Sequence, residues 1–424
     1  MDKVKLGDIC DLKSSKRIFE SEYVESGIPF VRGLEISDGT LKSKRNNYEC
    51  YISRERYEEL KDSVGVPGIG DVLITAVGTI GNLYLVEDDY EFYFKDGNVI
   101  WLSNLDKSVI PEYLFYFLQS PYFKKQLEYA LIGAVQKALT IVMLKEIEVI
   151  LPEIDEQRRI ASLLSNLDNK IANNQKLIKE LEDTARLIYD YWFTQFDFPD
   201  ENGKPYRSSS GKMVWNDVLK REIPEGWEVG CLGDYVEVVR GVSYDPEDLR
   251  DSAAHNSTAL YRANNISNGL INSDSVIYVD NKCISKNQML TEASIFMCMS
   301  SGSKEHVGKT AIVPSDLDVA FGAFCSKIEP RRDYLGYLDL FIRGDYFDSV
   351  IKQRALGTNI NNVTAEMIQD VKLPIPSIQL SQDFNKLMKP FLRQYGNLSK
   401  ENEELIKLRD WLLPTLMNGQ AKVS

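Results

Sequence analysis

Residues 160–192 read IASLLSNLDNKIANNQKLIKELEDTARLIYDYW. Alternating steps of four and three pick out Ile160, Leu164, Leu167, Ile171, Asn174, Ile178, Leu181, Ala185, Ile188 and Trp192. Nine of these ten are apolar, where a chain that is 43 % hydrophobic would place about four. A shift of 224 residues gives Phe384, Met388, Phe391, Tyr395, Leu398, Asn402, Leu405, Arg409, Leu412 and Leu416, eight of ten apolar. A seam held over about four heptads is the pattern of helices that pair as a coiled coil. One such stripe alone would also suit an amphipathic helix lying on its own domain. Two stripes in one chain make each other the obvious partner. Asn174 aligns with Leu398 and Asn402 with Ile178. A parallel in-register pair would therefore bury each asparagine against an apolar residue, at a cost, and an antiparallel pair relaxes that constraint. Pro152 and Pro376 mark the helix starts, and Asn418-Gly419 offers a stop. Pro414 is expected to kink or end the second helix near Leu413.

The 224-residue shift belongs to a repeat that runs through the chain. Leu6-Gly7-Asp8 returns as Leu232-Gly233-Asp234, and Arg32-x-x-x-Ile36-Ser37-x-Gly39 as Arg262-x-x-x-Ile266-Ser267-x-Gly269. Tyr113, Phe117, Tyr122, Gly133, Thr140, Met143, Pro152 and Ile154 match Tyr337, Phe341, Tyr346, Gly357, Thr364, Met367, Pro376 and Ile378. The offset drifts between these blocks as changes in surface-loop length would make it. Each unit reads as an α+β globule followed by a long helix. The expected division is 1–153 and 225–377 for the globules and 154–196 and 378–424 for the helices. Residues 197–224, rich in Pro, Gly and Ser, read as a linker.

The composition, 43 % hydrophobic and 27 % charged, is that of a soluble globular protein. Six scattered cysteines form no CxxC pair, and His255 and His306 are the only histidines, so zinc-ligand spacing is absent. No apolar run approaches the ~20 residues of a membrane span, and a cytoplasmic location is expected. The net charge of −13 argues against a protein that coats DNA by bulk electrostatics. It allows DNA binding where basic groups gather on one face or partner subunits supply phosphate contacts.

Catalytic motifs are missing. Gly302-Ser-Lys-Glu-His-Val-Gly308-Lys309-Thr310 has five residues between its glycines, one more than a P-loop, and a strand-like run follows it. No Asn/Asp-Pro-Pro-aromatic tetrapeptide, the base-holding motif of an adenine methyltransferase, is present. Neither histidine lies in a nucleophile pattern.

Two similar globules on a helical spacer suit a bipartite target. A helix of about 35 residues is roughly 50 Å long, against about 34–36 Å for one turn of B-DNA. Four stretches carry a resemblance that covers essentially the whole chain. They are Leu151-Pro-Glu-Ile-Asp-Glu-Gln157-Arg-Arg-Ile160; Phe196–Tyr206 with Met213-Val-Trp215-Asn216; Ile223-Pro-Glu-Gly-Trp227-Glu leading to Leu232-Gly-Asp234; and Leu408-Arg-Asp-Trp-Leu-Leu-Pro-Thr-Leu-Met-Asn-Gly419. Together they resemble the specificity subunits of type I restriction–modification enzymes. In the second copy Ile375-Pro-Ser-Ile-Gln-Leu-Ser-Gln382 lacks the Glu156-Gln157 pair.

The resemblance implies a non-catalytic subunit with two target recognition domains and an antiparallel coiled coil acting as a ruler. Its implied partners are double-stranded DNA, two adenine methyltransferase subunits and restriction/translocase subunits. The subunit itself would hold no cofactor; the partners would use S-adenosylmethionine, ATP and Mg2+. A stand-alone DNA-binding protein, or an orphan subunit of another DNA-modifying system, is the alternative. Candidate DNA contacts in the first globule are Arg32, Lys42, Lys44, Arg45, Arg54 and Arg56. In the second they are Arg262, Asn264, Asn265, Lys282, Lys286, Ser301, Lys304, His306 and Lys309. Arg can pair bidentately with guanine and Asn with adenine. Arg32 and Arg262 stand out because they fall at matching repeat positions, though a structural salt bridge would explain that equally well.

Overall fold

A computed structural model describes residues 2–43, 48–132, 138–251, 255–267, 269–273, 275–302, 306–355 and 361–423. Lys44, Arg45, Lys304, Gly133 and Gly357 lie outside them. The chain divides into two compact units, Met1–Ala172 with Glu403–Ser424, and Asn173–Asn402.

In the first unit, β-branched and aromatic runs make two four-stranded sheets. One is antiparallel in the order Asp11–Lys13, Val99–Ser103, Val72–Thr75, Leu83–Leu85. The other runs Tyr23–Val24, Tyr51–Ile52, Ile28–Val31, Tyr93–Phe94, and its last pair is parallel. Val72, Ile74 and Leu102 pack against Tyr113, Leu114 and Phe117 of the helix Pro111–Phe117. The next helix, Pro121–Leu131, is capped by Ser120, whose hydroxyl accepts from the Phe123 N–H at 3.3 Å. Asp2–Lys5 then pairs antiparallel with Glu148–Leu151 and hands the chain to Pro152. The first long helix, Ile154–Tyr189, begins two residues later.

The second unit repeats this plan. Val236–Arg240, Cys325–Pro330, Ile295–Cys298 and Thr310–Ile312 form the antiparallel sheet. Leu249–Arg250, Ile277–Asp280, Ser257–Tyr261 and Val319–Phe321 form the mixed one, again with its last pair parallel. Glu228–Cys231 pairs with Lys372–Ile375, and the second long helix, Ile378–Met417, starts two residues after Pro376. The repeat read in the sequence is thus a repeat of topology in the two four-stranded sheets and the pair that precedes each long helix, while the short pairs Ile266–Ser267 with Leu270–Ile271 and Ser300–Ser301 with Asn361–Asn362 belong to the second unit.

Within each unit the two long helices run antiparallel. In the first, Ile160 and Leu164 share a core with Leu416 and Met417, and Asp168 pairs with Arg409 at 3.0 Å. In the second, Ile178 packs with Tyr395 and Leu398, while Phe384 meets Trp192 and Phe193, with ring centroids 5.3 and 4.8 Å apart. Rising numbers on one helix therefore meet falling numbers on the other. Every seam position named above is buried or half-buried. The helices also pack on their own globules, through Tyr113 and Phe117 in one unit and Tyr337 and Phe341 in the other, so both readings of the stripe hold at once.

Two polar interruptions of the seam, Asn174 and Arg409, reach partners on the facing helix, although the buried Asn174 Oδ1 accepts no hydrogen bond among the described residues. Buried Asn174 donates from Nδ2 to Glu401 at 2.8 Å, beside Asn402 on the facing helix. Arg409 meets Asp168, which also accepts from the Tyr116 hydroxyl at 2.8 Å.

Of the two outcomes expected at Pro414, a kink or an end near Leu413, the end does not occur: the second helix continues through Pro414 to Met417. Leu416 and Met417 are held in the core of the first unit, and the Asn418 N–H donates to the Pro414 carbonyl at 3.0 Å. Residues 197–224, read as a linker, carry ordered contacts of their own. Phe198 stacks between Tyr206 and Trp227, with centroids 4.7 and 5.5 Å away. Asp197 accepts from the Ser208 hydroxyl and N–H at 2.6 and 2.7 Å, and Met213–Asn216 pairs with Arg221–Pro224 in a hairpin.

Candidate nucleic-acid interface

The mixed sheet of each globule ends its strand Ile28–Val31 or Ser257–Tyr261 on an arginine, Arg32 or Arg262. Each arginine opens a short helical turn, Gly33–Ser37 or Ala263–Asn265, and a repeat-matched glycine at φ +77°, a conformation that favours glycine, follows: Gly39 just after the first turn, and Gly269 between the paired strands Ile266–Ser267 and Leu270–Ile271. In both turns the backbone N–H of the arginine donates to the side chain three residues on, Glu35 at 2.8 Å or Asn265 at 2.9 Å. The shared turn places the two arginines alike.

Their side chains differ. The Arg32 guanidinium is paired with Glu35 at 2.6 Å and Glu49 at 2.8 Å, and the Glu35 hydrogen bond raises its pKa above the ordinary arginine value. Arg262 donates to the Ser275 carbonyl at 3.1 Å and has no carboxylate partner among the described residues.

The remaining candidates fall into three groups. Arg54 pairs with Glu91 at 2.6 Å, and Arg56 with Glu22 at 2.8 Å and Glu59 at 2.9 Å. Lys282 pairs with Asp248 at 2.9 Å, and its ammonium holds that carboxyl at about 2. Lys42, Asn264, Lys286 and His306 are exposed, and Lys309 and Ser301 half-buried. Asn265 is fully buried, with its amide held between the Arg262 N–H and the Asn272 carbonyl, so it frames the loop and offers no edge to a base.

No cluster of metal-ligating residues occurs among the described residues. Burial pushes the Cys10 thiol up to about 12 and Cys298 to about 11, which suits inert core thiols rather than nucleophiles. No described helix is long and apolar enough to cross a membrane.

The chain matches the type I restriction modification DNA specificity domain twice, over residues 1–183 and 224–407. It belongs to that family. It is 26 % identical over 413 residues to the type I restriction enzyme MjaIX specificity subunit of Methanocaldococcus jannaschii, covering 95 % of this chain and 88 % of that one. With the EcoKI specificity subunit of Escherichia coli it shares 27 % identity over 204 residues, 47 % of this chain and 44 % of that subunit. The crystal structure of the type I S subunit from M. genitalium superposes with a TM-score of 0.57 at 18 % identity, covering 98 % of this chain and 95 % of that chain, and supports the fold. The chain is therefore a specificity subunit, a non-catalytic DNA-recognition component of a type I restriction–modification system.

Proposed function

We propose that each globule, roughly 1–153 and 225–377, reads one half of a bipartite DNA target while the paired long helices set the gap. The observation that carries this reading is the duplication itself, two globules of matching strand order whose long helices run antiparallel within each unit. The strands of a duplex are related by dyads perpendicular to its axis, so two related readers along it call for antiparallel equivalent helices. Two adenine methyltransferase subunits would dock on the helices, joined by restriction/translocase subunits. Those partners would bring S-adenosylmethionine, ATP and Mg2+. Support for paired docking comes from Leu187 and Trp411, which sit at repeat-matched positions on the two helices and are 70 % and 64 % exposed. With a net charge of −13, the subunit leaves much of the phosphate contact to its partners. Its own contacts would come from the exposed and half-buried candidates above.

The experiment is to express the chain with its methyltransferase and map the methylated adenines of the host genome. The reading expects one motif of two short specified halves around a fixed unspecified gap. A single uninterrupted motif would contradict it.

A further inference from the structure

The two matched arginines sit on the same turn but in opposite electrostatic settings. We infer that Arg262 is the one that engages the DNA target, whereas Arg32 is a strut that holds the first globule together. This inference rests on the reading that both globules face DNA.

In the first globule, Glu35 is 4 % exposed and serves three donors of Arg32. Oε2 accepts the Arg32 backbone N–H, and Oε1 accepts Nη2 at 2.6 Å and Nε at 3.2 Å. Glu49 adds a second carboxylate. Swinging Arg32 toward a phosphate would break charge-assisted bonds, the stronger kind, and leave a buried carboxylate without its cation next to DNA.

In the second globule the residue in the place of Glu35 is Asn265. Its Oδ1 caps the backbone N–H as Glu35 does and its Nδ2 donates to Asn272, and a neutral amide brings no charge to set against the guanidinium. Among the described residues the Arg262 Nη2 has one neutral acceptor, the Ser275 carbonyl, and its buried Nε has none. Exchanging that carbonyl for a pair of acceptor atoms loses one ordinary hydrogen bond and satisfies a donor that now has none. A guanine O6/N7 edge and a phosphate both supply such a pair. The residue three positions after the arginine thus decides whether its charge is neutralised inside the globule or presented outside it.

The test uses the assembled complex with its methyltransferase and the duplex that wild type binds, in both specific and non-specific versions. Arg262→Ala should weaken specific binding by about 5- to 150-fold, with Arg262→Gln as the variant of similar bulk. Asn265→Glu, which installs the first globule's carboxylate, should weaken it in the same direction. Arg32→Ala should leave affinity within about twofold and lower the melting temperature of the subunit. A base contact would confine the Arg262 loss to the specific duplex. A phosphate contact would spread it over both duplexes and flatten the salt slope by about one. Either pattern supports the inference. It is overturned if folded Arg262 variants bind both duplexes as wild type does, or if Arg32→Ala loses as much affinity as Arg262→Ala. Failure of the bipartite reading would show separately, in the wild-type methylation motif.

Discussion

Asn385 grips, in the second repeat, the backbone carbonyl that Gln157 grips in the first, from a helix position one turn later. Gln157 donates to the Ser108 and Pro152 carbonyls at 2.8 Å and accepts the Ile110 N–H at 2.9 Å. Asn385 donates to the Arg332 and Asp333 carbonyls at 2.9 Å and accepts the Gly336 N–H at 2.7 Å. Arg332 is the repeat match of Ser108, whereas the match of Gln157 is Ser381, a buried residue whose hydroxyl has no partner among the described residues. The clamp lost with the Glu-Gln pair has been rebuilt four residues downstream. Gln157→Ala should destabilise the subunit by about 1–3 kcal/mol, because buried backbone groups lose their partners. Asn385→Ala, at a half-buried site, should fall at the low end of that range. Denaturant unfolding checks both, and wild-type midpoints would show that the clamp is incidental.

Gly396 lies inside the second long helix, where glycine is ordinarily about 1 kcal/mol worse than alanine. A Cβ there would stand 2.8 Å from the Pro314 carbonyl oxygen. Gly396→Ala should therefore lower the melting temperature despite its better helix propensity, since overpacking costs about 1–3 kcal/mol. A raised melting temperature would mean that the loop at Pro314 yields freely.

Arg343 is buried between Asp339 and Glu182, at 2.7 Å from each. Burial opposes its charge, yet the Asp339 and Glu182 carboxylates lift its pKa above the ordinary arginine value. Burial raises Glu182, with Arg343 acting against that shift. Arg343→Leu should destabilise by about 3–5 kcal/mol at neutral pH, the cost of stranding buried charges. It should also raise Glu182 further. A carboxyl whose folded pKa exceeds its unfolded one gains stability as pH falls between the two. The deficit of the variant should therefore shrink from neutral pH toward the carboxylate range. Unfolding midpoints against pH measure this, and a deficit that grows on acidification would contradict the assignment.

The long-period features were legible in the sequence because they are written in spacing. The seam follows from apolar residues recurring in steps of four and three, and the repeat and the helix starts after Pro152 and Pro376 from matching residues that return about 224–230 positions later. The continuation through Pro414 was not, because it depends on a core supplied by residues far away in the chain. The packing of 197–224 was hidden under its Pro, Gly and Ser content, although Phe198, Tyr206 and Trp227 were a signal that aromatic rings would be buried there. The setting of Arg32 was half legible. Glu35 lies three residues on, within local reach, whereas Glu49 arrives through the fold. The amide that makes Asn265 a candidate in the sequence, able both to donate and to accept, is in the structure engaged within the loop.

The central claim is that the two globules read independently across a gap set by the helices. Replacing residues 1–153 with the same domain of a relative, expressing the chimera with its methyltransferase and sequencing the methylated bases tests it most directly. One half of the motif should change while the other half and the gap between them stay as they were. A swap that rewrites both halves at once would contradict it.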